Sequence, residues 1–242
     1  MSWLSVIFGS ILAGLIHTVT GFGSGVIMML VLSHFFSLTQ APAITTSICL
    51  GLSTTLAWRY RKQVDWRRVA LPLVIYTIGS LLAIQWSKRL DLRVLSIAFG
   101  GFLILLAAHS LFFSKRTADL RPTGAMAVVS SAVAGVCQGL FSVGGPIIAL
   151  YFINAVEDRD EYVGDLQTLF VITGLISLVS RAANGLYRLS FLPLTAAGLV
   201  AINVGKRLGL KIAGKLNTAA VRTIVYLYVG LSGVILILQN VL

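Results

Sequence analysis

The reading of the chain turns on two stretches, His17-Thr18-Val19-Thr20-Gly21-Phe22-Gly23-Ser24-Gly25 and Gln138-Gly139-Leu140-Phe141-Ser142-Val143-Gly144-Gly145-Pro146. Each lies near the middle of an apolar run, Trp3 to Phe36 and Thr123 to Ile153, longer than the ~20 residues a straight helix needs to cross a bilayer. Clustered glycines, joined by a proline in the second stretch, weaken a helix and leave backbone groups without intrahelical partners. In hydrocarbon such backbone persists only where protein or a water-filled cavity satisfies it. Both stretches are therefore expected to be helix breaks at a functional site.

Further apolar segments run from Ala41 to Trp58, Val69 to Trp86, Val94 to Phe113, Val163 to Val179, Phe191 to Val204 and Ala219 to Leu238, which makes eight in two sets of four. Hydrophobic residues form 57% of the 242, charged residues 11%, and the mean hydropathy is +0.92, too little polar surface to coat a soluble globule. The fold class is an all-α polytopic membrane protein. The formal net charge of +11 does not mark a nucleic-acid binder, because Lys and Arg gather in short connections, as Arg59, Arg61, Lys62, Arg67 and Arg68 do. That pattern points to membrane topology and anionic lipid. Cys49 and Cys137 lie in apolar runs with no CxxC spacing and read as small buried hydrophobes. Met1 to Phe8 lacks a basic stretch, so the first segment is expected to be retained rather than cleaved.

A shift of 121 residues lays Gly14 on Gly135, Gly23 on Gly144, Ile27 on Ile148, Arg67 on Arg188 and Leu71-Pro72-Leu73 on Leu192-Pro193-Leu194. The chain thus reads as two repeats, residues 1–121 and 122–242, within one transmembrane domain. If all eight segments cross, the loop charges balance and set no orientation. If the first segment of each half is instead a re-entrant hairpin of two half-helices, the second half is inverted. Lys88, Arg89, Arg93, Arg181 and Arg188 then fall on one side, and the rest of the 19 Lys and Arg on the other. The positive-inside bias favours this inverted repeat, with both termini outside.

A hairpin broken at mid-membrane turns the N-terminus of its second arm inward, where free N–H groups and the helix dipole attract an anion. The candidate substrate-binding residues are His17, Thr18, Thr20, Gly21, Gly23, Ser24 and Gly25 in the first stretch and Gln138, Gly139, Ser142, Gly144, Gly145 and Pro146 in the second. Thr46 and Ser47 join them, with Gln167 and Thr168, onto which the shift lays them. Asp165 is the candidate coupling residue, as an ionisable group near a span. His34 and His109 read as interfacial or core residues, Arg67 and Arg188 as topology determinants, and Glu157 to Glu161 as a solvated acidic loop.

At its glycine runs the sequence resembles the sulfite exporter TauE/SafE family of membrane permeases, through Gly14, Gly21, Gly23, Ser24 and Gly25, then Gly135, Gly139, Gly144, Gly145 and Pro146. Ser24 stands where that family usually carries a further glycine, and Met28-Met29 near its proline. The resemblance implies a secondary transporter of the bacterial inner membrane for sulfite, a sulfonate or a related sulfur-containing or organic anion. Proton and sodium coupling both stay open, a passive channel is the alternative, and association into a homo-oligomer is compatible with the sequence. An intramembrane serine protease would need Gly-x-Ser-Gly, but Phe22 stands two residues before Ser24. No histidine-carboxylate cluster suggests a metal, no phosphate-binding loop suggests ATP, and no cofactor is expected.

Overall fold

A computed structural model of the chain describes residues 2–113, 123–212 and 218–241. Among these residues there are ten α-helices and no strand: α1 (Ser2–Thr20), α2 (Ser24–Leu32), α3 (Ala41–Tyr60), α4 (Trp66–Ser87), α5 (Leu92–Ala108), α6 (Gly124–Phe141), α7 (Gly145–Ala155), α8 (Arg159–Ala183), α9 (Leu192–Ile212) and α10 (Thr218–Val241). A π-helical turn, His109–Phe113, continues α5. Five spans are long and apolar enough to cross a membrane, Trp66–Ser87, Leu92–Phe112, Gly124–Phe141, Arg159–Ala183 and Leu189–Lys211. Side-chain oxygens fix where several helices begin, Asp65 accepting from Arg67 N at 2.9 Å, Asp91 from Arg93 N at 2.6 Å and Thr123 from Met126 N at 3.1 Å.

Each long first segment is a pair of helices, α1 with α2 and α6 with α7, parted at residues 21–23 and 142–144. The arms are unequal, 19 and 9 residues in the first pair and 18 and 11 in the second, rather than matched half-helices. The first pair folds back on itself, with Gly9 against Val31 and the Ser10 hydroxyl 3.5 Å from Met28 Sδ.

The packing of the remaining helices is reciprocal between the halves. α1 runs parallel to α9, with Ile11 beside Gly205 and Leu15 beside Gly209, and α6 runs parallel to α4, with Gly135 beside Tyr76 and Gly139 beside Ser80. α3 and α8, which the 121-residue shift superposes, pack antiparallel, since Gly164 meets Tyr60 and Gly174 meets Leu50. α5 and α10 do the same, with Gly100 against Gly233 and Arg93 Nη2 3.2 Å from the Val241 carbonyl oxygen.

The bundle surface suits lipid. On α4, Leu71, Val74, Ile78, Leu82 and Trp86 form one exposed stripe, while Tyr76, Ser80, Ala83 and Ile84 face inward. All four tryptophans are exposed, Trp58 and Trp66 flanking the 61–65 connection at one end, Trp3 and Trp86 at the other, as expected of residues anchored at two water–lipid interfaces.

Two expectations are corrected. Arg181 is not a loop charge but lies within α8, 1% exposed, because that helix runs to Ala183. Nor is Glu157 to Glu161 a free loop: Asp158 caps α8, accepting from the backbone N–H of Asp160 and Glu161, and Glu161 pairs with Arg68 Nη2 at 2.7 Å. Lys115, Arg116 and Arg121, counted among the loop charges, lie outside the described residues.

Without a hydrophobic drive between helices in lipid, close approach at small residues holds them together. A Cβ at Gly205 would run into the Ile11 carbonyl, so the α1–α9 pair would have to part, whereas one at Gly101 would meet nothing within 4 Å. Gly205→Ala is expected to destabilise the protein by about 1–3 kcal/mol. Gly101→Ala should leave stability unchanged or slightly raised. Thermal unfolding of both purified variants in one detergent checks the contrast.

Candidate functional site

The two helix breaks meet. A Cβ on Gly25 would strike the Ser142 carbonyl, and Phe22 lies 3.7 Å from where a Cβ on Gly145 would be. The shift that pairs Gly21 with Ser142 also pairs their conformations, both with positive φ, 83° and 56°. Glycine adopts this freely, but for a serine it costs ~1–2 kcal/mol. Ser142 is held there by its hydroxyl, which donates to the Pro42 carbonyl at 2.8 Å and lies 2.7 Å from Thr46 Oγ1. Its N–H and that of Val143 return to the carbonyls of Gln138 and Cys137, closing the end of α6.

The first break is satisfied from the opposite half, the second largely from its own. Gln167 Nε2 donates to the Gly21 carbonyl at 3.0 Å and lies 3.0 Å from His17 Nε2. His17 Nδ1 is in turn 2.9 Å from Ser24 Oγ, at the start of α2. In the second half the Gly144 N–H reaches Gln138 Oε1 at 3.3 Å. Arg181 Nη2 donates to the carbonyls of Gln138 and Gly139, at 3.1 and 2.7 Å, where α6 ends.

Between the breaks is a cavity with about 60 Å³ of space open to the centre of a water molecule. One water needs ~10–15 Å³ by that measure, so a small polyatomic ion fits. His17, Gly23, Ser24 and Gly25 line it from the first break, Gln138, Ser142, Gly145 and Pro146 from the second, and Thr46 from α3. The first residues of α2 and α7 both lie at its wall, and among the described residues lining it none is Asp, Glu, Lys or Arg.

Other candidates stand elsewhere. Thr18 and Ser47 donate to carbonyls one turn back in their own helices, at 2.7 and 2.9 Å. Gly21, Gly144 and Gln167 shape the breaks from behind the cavity wall, Gly139 packs against Ser80, and Thr168 is half-buried away from the wall. The Thr20 side chain lies outside the described residues. Gly14 and Gly135 pack helix on helix. Asp165 is fully buried but not in the cavity: its carboxylate accepts from Asp65 N at 2.8 Å and sits 3.2 Å from Arg68 Nε. Thr45, Cys49, Ser53, Phe170, Thr173 and Gly174 line the cavity without having been singled out. Their signal was present, since Thr45, Cys49 and Ser53 recur every fourth residue on one face of α3 and the shift carries Cys49 and Ser53 onto Phe170 and Gly174.

The model of the sulfite exporter TauE/SafE family matches residues 6–236, a stretch that holds both breaks and every cavity residue. The chain belongs to this family. It is similar to the probable membrane transporter protein YunE of Bacillus subtilis (strain 168), 24% identical with 100% of this chain and 99% of that protein covered. It is also similar to a probable membrane transporter protein of Methanocaldococcus jannaschii, 23% identical with 97% and 95% covered. No solved structure matches the chain. The TauE/SafE chain is a membrane transporter.

The strained serine gives a test with an unusual sign. Ser142→Ala keeps the left-handed backbone and loses the hydroxyl, whereas Ser142→Gly loses the hydroxyl but relaxes the backbone. The alanine variant is expected to be the less stable of the two by ~1 kcal/mol, against ordinary helix preference. Paired unfolding measurements in one detergent check the order.

Proposed function

We propose that this family member is a secondary carrier for a small anion, bound in the cavity where the two breaks meet and released alternately to either side. The ligand class is sulfite, a sulfonate or a related sulfur-containing or organic anion. The observation that carries the reading is the convergence of two helix N-termini on one small cavity whose walls supply hydroxyl, amide and imidazole groups and no carboxylate. Two positive dipole ends favour negative charge there.

The halves act as an inverted repeat in this reading. Antiparallel packing of α3 with α8 and of α5 with α10 supports an axis lying across the helices, hence in the membrane plane. The hairpins α1–α2 and α6–α7 enter from opposite faces, and rocking of one half on the other exposes the cavity in turn. The membrane is the bacterial inner membrane, and the end bearing Arg59, Arg61, Lys62 and Arg67 faces the cytoplasm, by the positive-inside bias. Transport in either direction is coupled to a proton or sodium gradient.

Flux of labelled sulfite, sulfoacetate and taurine into proteoliposomes tests the carrier. Saturable flux is expected in the wild type, reduced at least about tenfold in Thr46→Val, which removes a hydroxyl from the wall, and in Gly145→Leu, which fills the cavity. Non-saturating flux would favour a passive channel instead, and no flux of any sulfur anion would remove the substrate class.

Orientation is tested separately in a background lacking Cys49 and Cys137. A membrane-impermeant maleimide added to intact cells should label Arg89→Cys and spare Lys62→Cys. The reverse pattern would invert the assignment.

A further inference from the structure

Gln167 lies behind the cavity wall yet touches two groups that frame it. The Gly21 carbonyl, 3.0 Å from Gln167 Nε2, can only accept, so the amide nitrogen and not the amide oxygen must face it. The reverse orientation would set the amide oxygen against the Gly21 carbonyl oxygen and leave that carbonyl without its donor. Nε2 has a second hydrogen, and the other atom in reach is His17 Nε2, also at 3.0 Å. A hydrogen donated there requires that ring nitrogen to be bare.

A neutral His17 then carries its hydrogen on Nδ1, 2.9 Å from Ser24 Oγ, and donates to it. The Ser24 hydroxyl is left to direct its own hydrogen elsewhere. Beside it are the Cys49 sulfur, a weak acceptor, and the cavity that Ser24 and Cys49 both line. All three members of the chain, Gln167, His17 and Ser24, are buried, at 0%, 3% and 3% exposure. The second half reaches the same polarity by a shorter route. Gln138, the counterpart of His17, spends its oxygen on Gly144 N–H, which leaves the amide nitrogen as its free end at the cavity.

We propose that Gln167 is a positioning residue that turns Ser24 into a hydrogen-bond donor toward the cavity, so that the site selects oxyanions with no O–H of their own to donate, a sulfonate or the sulfite dianion ahead of a protonated acid. This rests on the cavity being the anion site proposed above. The relay runs from a backbone carbonyl of one half, through an amide of the other, to the hydroxyl at the start of α2.

The test uses the full-length protein with His34→Gln and His109→Gln, which leaves His17 as its one histidine, labelled with ¹⁵N in the ring. NMR reads the tautomer, and titration with methanesulfonate reads affinity from the same signals. The expected result is a hydrogen on Nδ1 in the parent. In Gln167→Met, which donates nothing to His17 Nε2 and adds no charge, the hydrogen is no longer held on Nδ1 and methanesulfonate binds at least about tenfold more weakly. Should that variant not fold, Ser24→Ala is expected to keep the Nδ1 hydrogen and lose the same affinity. A hydrogen on Nε2 in the parent overturns the relay. So does a tautomer that switches with no change in affinity, an unchanged affinity in Ser24→Ala, or a parent that does not bind methanesulfonate. Binding that shifts the His17 signals without uptake into liposomes leaves the relay standing and overturns the carrier.

Discussion

A peptide group without a partner in hydrocarbon costs several kcal/mol, and the breaks at residues 21–23 and 142–144 create such groups inside the bundle. The first half does not settle the cost alone, and the second is anchored across the seam. The Gly21 carbonyl is taken by Gln167 of α8, and Ser142 is anchored by Pro42 and Thr46 of α3. Arg181 of α8 covers two carbonyls at the end of α6. The antiparallel seam between α3 and α8 therefore both joins the halves and supplies the groups that make two interrupted hairpins tolerable. A cavity at that seam follows, because glycines that let the tips approach also leave space where side chains would have been.

The halves solve the same problem with different chemistry. Where the first half has Gly21, which takes a left-handed conformation freely, the second has Ser142, whose strain is offset by two hydroxyl contacts. His17 becomes Gln138, Thr46 becomes Gln167, and Tyr60 becomes Arg181. Such exchanges keep polar side chains at matching positions while changing what they bond: Thr46 donates to the Pro42 carbonyl of its own helix, and Gln167 to Gly21 of the other half. Symmetry in the backbone with asymmetry in the side chains is what a carrier needs if its two access states are to differ in energy.

Much of this was legible from residue types. Glycine clusters in over-long apolar runs announce interruption, and the breaks at residues 21–23 and 142–144 fall within them. Pairing across the seam was legible only in part. The shift pairs Thr46 with Gln167, but which of their neighbours face the cavity depends on helix rotation, which sets Thr45, Cys49 and Ser53 at the wall and turns Ser47 back onto its own helix. Arg181 was misplaced for a physical reason: an arginine near the end of an apolar run reads as a loop residue unless the carbonyls it covers, 42 and 43 residues away in sequence, are known.

The handling of Asp165 follows from the same electrostatics. It stands two residues before Gln167 on α8, and a free carboxylate so near an anion site would oppose binding through a medium of low dielectric. Its two oxygens are instead spoken for, one by the Asp65 N–H and one by Arg68. Arg68 also holds Glu161 at 2.7 Å and Asp65 at 3.4 Å, so three carboxylates share one guanidinium. That excess of negative charge is placed at the bundle end that also carries Arg59, Arg61, Lys62 and Arg67. These three acidic groups are thus gathered on a cation, and the proposed site is left with neutral donors and helix dipoles. Anion preference at such a site comes as much from where Asp165 is tied as from what lines the cavity.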